Sequence, residues 1–130
     1  MKTELLYLAY VAAFTGLLWI PYIIDRMAVW GLPPTVGYPD DPPPQSPWAR
    51  RLKKAHANAV ENLVVFAALV LAAHALDIST PLTAQAAVIY FWARVAHAIV
   101  YTLAIPWLRT LAFTVGFLAQ AALAWQILVS

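Results

Sequence analysis

The chain has 130 residues, 63% of them hydrophobic and only 11% charged, with a mean hydropathy of +0.72. A soluble domain ordinarily carries about a quarter charged residues, so eight basic and six acidic side chains are too few to wet this one, and a water-soluble globule is excluded. The net charge of +2 does not point to nucleic acid, because the basic residues gather beside apolar segments as membrane topology requires; with no cysteine there is no disulfide framework, thiol nucleophile or cysteine metal site.

Taken in chain order, the first apolar segment runs from Leu5 to Ile24 without a charge, and its length matches the roughly 20 residues that a bilayer core requires. No small-residue cleavage pattern follows it, so it is expected to be a retained span rather than a removed signal peptide. Residues 25–54 form the one long connection. It contains GLPPTVGYPDDPPPQSP, seven prolines in 17 residues, and is expected to be extended, non-helical and laid against the membrane surface. A second span covers 55–76, polar at its start, and a third covers 82–105, interrupted by Arg94 and His97. The fourth covers 111–129. Thr80-Pro81 and Pro106 break the chain between these last three. Connections this short make antiparallel neighbours. The expected fold is therefore all-α: one domain, 1–130, forming an integral membrane up-down four-helix bundle.

Lys2 is the one basic residue on the face that holds the chain ends. Arg26, Arg50, Arg51, Lys53, Lys54 and Arg109 lie on the other. Cytoplasmic loops are enriched in Lys and Arg, so both termini are expected outside the cytoplasm and loops 25–54 and 106–110 inside it. Trp48, Trp107 and Tyr22 suit an aromatic belt at the basic interface.

Helical spacing then gathers the polar residues. Lys54, Asn58 and Glu61 fall at i, i+4 and i+7, within about 60° of one face, and so do Arg94, His97 and Tyr101 at i, i+3 and i+7. A lone charge at mid-bilayer costs at least about 2.5–3.5 kcal/mol, which leads to the expectation of a direct Glu61–Arg94 pair. That pair has a structural reading, pinning helix register, and a functional one. The rim of Lys54, Arg26 and Arg109, with an acid, an amide, an imidazole and a phenol, describes a polar cavity for a small zwitterion or anion. His56, His74 and Gln120 are expected in interfacial or interhelical hydrogen bonds. The histidines are too scattered for a metal site.

Three elements in the right order resemble one family, the membrane-associated proteins in eicosanoid and glutathione metabolism (MAPEG). KKAHANAVENLVVF resembles its basic-x-x-x-Asn-x-x-Glu signature, and ARVAHAIVY its Arg-x-x-His-x-x-x-Tyr element. Arg109-Thr110 resembles its arginine followed by a small hydroxyl residue. The resemblance spans nearly the whole chain. It implies a homotrimer with glutathione held between subunits near the cytoplasmic side, and a second, hydrophobic small-molecule substrate arriving from the lipid. The implied activity is a glutathione-dependent transferase or peroxidase acting on lipophilic electrophiles or lipid hydroperoxides. It further implies that Arg26, Lys54, Asn58, Glu61, Arg94, His97 and Tyr101 bind the tripeptide, Asn58 and Glu61 through its amide and amino group. Arg109, helped by Thr110, would stabilise the thiolate. The expected compartment is the bacterial inner membrane.

Two features keep other classes open. Lys54 stands where active relatives commonly carry arginine, and Ala57 where several carry another basic residue; both favour a catalytically silent membrane scaffold. A small proton-coupled exporter also uses four helices and one intramembrane glutamate, but places that acid in the first span.

Overall fold

A computed structural model describes residues 2–130. Among these there is no strand. The helices are α1 (Thr3–Leu17), α2 (Trp19–Trp30), α3 (Leu32–Val36), α4 (Pro47–Ala75), α5 (Pro81–Thr102) and α6 (Pro106–Leu128). α1 and α2 follow each other with a single-residue break at Leu18, whose N–H reaches back to Thr15 O at 3.3 Å. Pro21 accounts for the break: it has no N–H for the Leu17 carbonyl, and its ring crowds that carbonyl.

The connection expected over 25–54 is shorter than its composition implies. Asp25–Trp30 continues α2, and Pro47–Lys54 already belongs to α4. Proline at the first helical position costs nothing, because that N–H would be unpaired anyway. The same reason corrects the loop expected at 106–110: Pro106 opens α6, so Arg109 and Thr110 sit on its first turns. What remains of the proline-dense connection, expected to be extended and non-helical, holds the short helix α3 over Leu32–Val36 and is tied down by polar contacts. Buried Asp25 accepts from Ser46 N (3.0 Å), the Ser46 hydroxyl and Gln45 Nε2 (3.2 Å), and Trp30 Nε1 donates to Pro43 O at 2.6 Å. Asp25 thus caps the start of α4 from across the connection.

At the opposite end, Glu4 is buried and accepts from Ser79 Oγ (2.6 Å) and Thr83 Oγ1 (3.1 Å). Thr80 and Thr83 cap α5 reciprocally, so one carboxylate joins the start of α1 to the start of α5. Lys2 pairs with Asp77 nearby at 3.6 Å.

α5 packs against α1, α4 and α6. Its inward face is built from Ala86, Ala87, Tyr90, Ala93, Arg94, His97 and Ala98, all buried. Small side chains let helices approach closely. At Gly116 of α6 a Cβ would already touch Ala93 Cβ at 3.7 Å and Arg94 Cδ at 3.8 Å. Phe66 stacks on Tyr90 with ring centroids 4.1 Å apart and planes at 10°, at the centre of a cluster with Val11, Val70 and Leu123. Large apolar side chains such as Leu71, Trp92, Phe117 and Trp125 point outwards. Three helical stretches, Thr3–Trp30, Pro47–Ala75 and Pro106–Leu128, are long and apolar enough to cross a membrane.

Candidate functional site

The site lies where the first half of α4, the end of α5 and the start of α6 meet. The sharp turn at 103–105, with Ala104 at φ +60°, returns the chain from α5 directly into α6. Arg109 is thereby brought beside Tyr101. Its guanidinium sits 4.9 Å from the Tyr101 ring centroid, a cation–π contact. The His97 and Tyr101 rings follow at 5.5 Å.

Two contiguous clefts share Tyr101 and Arg109 as their common wall. One, of about 340 Å³, is lined by Asn58, His97, Thr110 and Phe113 besides that wall. The other, of about 250 Å³, adds Arg51, Lys54 and the turn Ala104–Pro106. Arg51, Lys54 and Arg109 supply three cations, and no carboxylate lines either cleft. Behind the wall, Arg94 is 3% exposed and donates from Nη2 to Asn58 Oδ1 at 2.6 Å. The arrangement is a basic, donor-rich recess whose chemistry suits an anion with several acceptor oxygens.

Of the residues singled out by sequence, Lys54, Asn58, His97, Tyr101, Arg109 and Thr110 line these clefts, and Arg94 backs them. Two do not join them. Arg26 lies over the Trp30 ring at 4.8 Å and bonds Gln45 Oε1 at 3.5 Å, so it serves the proline-dense connection. Glu61 is exposed on the outside of α4, and the expected Glu61–Arg94 pair does not form. One turn of α4 separates Asn58 from Glu61 by about 60° of rotation. Asn58, on the side facing α5, takes the guanidinium instead.

Lining residues not singled out as part of the site are Arg51, Phe113 and the turn Ala104–Pro106. Arg51 Nε donates to the Thr102 carbonyl at 2.8 Å, satisfying one of the orphan carbonyls at the end of α5. Its position one turn before Lys54 on α4 was the available signal. The interhelical hydrogen bonds expected of His56 and Gln120 are present: Tyr22 Oη lies 2.9 Å from His56 Nδ1, and Gln120 Nε2 donates to Asn62 O at 3.1 Å. His74 sits exposed in the last turn of α4.

Comparison with individually curated proteins gives no match. The model of the MAPEG family, by contrast, matches residues 6–129, nearly the whole of a chain with three membrane-length apolar helices, and the protein is therefore a membrane protein belonging to the MAPEG family.

Proposed function

We propose that the protein is a glutathione-dependent membrane transferase or peroxidase whose second substrate is a lipophilic electrophile or lipid hydroperoxide. The observation that carries this reading is the wall of Arg109 and Tyr101 between two clefts with cations and no carboxylate. Glutathione brings two carboxylates and a thiol. Lys54 and Arg51 are placed to take a carboxylate, while Asn58 and His97 hydrogen-bond the peptide. Arg109, with Thr110 beside it, stabilises the thiolate, since a nearby cation lowers a thiol pKa from about 8.5. The thiolate then attacks an electrophilic centre on a molecule partitioned in the lipid, forming a carbon–sulfur bond as the leaving group departs. With a hydroperoxide it attacks the distal oxygen instead, releasing an alcohol and leaving a sulfenic acid, which a second glutathione reduces to water and glutathione disulfide.

Within the same proposal α5 is the fourth membrane span, in an up-down four-helix bundle. Its inward-facing Arg94 and His97 are screened from lipid by α1, α4 and α6. The basic end faces the cytoplasm and the termini face away from it, in the bacterial inner membrane. The functional unit is a homotrimer. Glu61, exposed on a helix that crosses the membrane, supports it, because a lone charge facing lipid would cost at least about 2.5–3.5 kcal/mol. Light scattering in mild detergent should give three chains per particle; a monomer would refute the assembly.

Purified protein titrated with glutathione near neutral pH should develop a saturable ultraviolet thiolate absorbance. Its absence at saturating glutathione would remove the transferase and peroxidase assignment.

A further inference from the structure

Among the described residues Arg94 has no carboxylate partner, and this determines what its neighbours present to the cleft. The side chain is 3% exposed, and its Nε has no acceptor among the described residues. Nη2 donates to Asn58 Oδ1 at 2.6 Å and lies 3.5 Å from His97 Nδ1. A guanidinium has five N–H donors and no acceptor. Whatever it meets must therefore accept. For Asn58 that atom is the amide oxygen; for His97 it is the ring nitrogen without a proton.

Asn62 reinforces the choice from one turn along α4. Its Nδ2 donates to Asn58 O at 2.9 Å and approaches Asn58 Oδ1 at 3.4 Å. The amide oxygen of Asn58 is thus engaged on the protein side, leaving its NH₂ for the cleft. His97, with Nδ1 bare, carries its proton on Nε2. Both residues line the same cleft as Tyr101 and Arg109.

We infer that Arg94 is a positioning residue that holds Asn58 and His97 as hydrogen-bond donors towards the cleft, so that this subsite takes an acceptor oxygen, a carboxylate above all, and not an ammonium group. The inference rests on the glutathione reading for its ligand: the part of the tripeptide seated at Asn58 is then a carboxylate end, not the amino group. That departs from what the resemblance implies, where Asn58 and Glu61 bind the tripeptide through its amide and amino group.

The orientation is tested without any ligand by nitrogen NMR of ring-labelled histidine, with His97 assigned by its loss in His97→Gln. Wild type should show the His97 proton on Nε2. Arg94→Met should give a mixture of tautomers, and Arg94→Lys, whose ammonium is also a pure donor, should restore the Nε2 form. The ligand arm uses Asn58→Asp, which keeps an acceptor for Arg94 but replaces the NH₂ facing the cleft with a carboxylate oxygen, a loss for a carboxylate ligand and a gain for an ammonium group. Its glutathione dissociation constant should rise by about tenfold or more. A proton on Nδ1 in wild type, or an Asn58→Asp protein that binds glutathione as tightly as wild type, overturns the inference. Failure of wild type to bind glutathione would instead remove the proposed function, and the tautomer measurement would still judge the role of Arg94.

Discussion

Replacing Arg109 with leucine is expected to slow conjugation of glutathione to a halonitrobenzene by about 100-fold per folded molecule, the usual cost of losing one preorganised electrostatic group. The side chain lies over Tyr101 on the wall that both clefts share. Without it the bound thiol should return towards its ordinary pKa of about 8.5. The rising limb of the pH–rate profile then moves to higher pH, because less thiolate exists at neutrality. Arg109 could alternatively serve as an interfacial anchor. Removing an anchor lowers yield or insertion and leaves turnover per folded protein unchanged, so unchanged turnover with an unmoved pH profile would refute the thiolate role. Arg109→Lys, which keeps the charge without the planar fork, should recover part of the rate.

The largest stability effect is expected from Phe66→Ala. Phe66 is fully buried, and its ring stacks on Tyr90 between α4 and α5. Truncating a buried phenylalanine costs about 3–5 kcal/mol in water-soluble cores. In a bilayer the cost should fall at the lower end, about 3 kcal/mol, because lipid is as apolar as the core and little transfer free energy is lost. What is lost is the dense contact of the two rings with their neighbours. Unfolding in mixed micelles should report it. Phe117→Ala, at an outward-facing position 58% exposed, is the control and should change stability by about 0.5 kcal/mol or less. Equal losses from the two substitutions would show that the Phe66–Tyr90 stack does not hold the bundle together.

Local patterns made much of the protein legible. Hydropathy over stretches of about 20 residues marked four spans, and three of them coincide with helical stretches long and apolar enough to cross a membrane, because the bilayer sets both length and composition. Pro81 and Pro106 marked the starts of α5 and α6, whereas the prolines of the long connection were read as excluding helix when Pro47 in fact begins α4, well before the second span expected at 55. Helical periodicity put Asn58 on one polar face and His97 and Tyr101 on another, and the family motif added Arg109 and Thr110; the structure brings all five to one cleft.

Periodicity defines a face only to within the width of a side chain, and it does not say which neighbour fills it. Asn58 and Glu61 share one stripe in sequence. Packing turned the first towards α5 and left the second outside, so an amide rather than an acid meets Arg94. Arg26 and Arg51 look equivalent as interfacial cations. The fold of the proline-dense connection took Arg26 towards Trp30 and Gln45, while the free carbonyl of Thr102 drew Arg51 to the cleft. Glu4 lay outside the first span as read from sequence, and only the approach of α1 to the start of α5 gave it Ser79 and Thr83 as partners. Apart from the Arg26–Trp30 contact within α2, the deciding contacts join residues at least 19 positions apart. Such contacts depend on how the helices rotate and dock, which no local pattern of residues encodes.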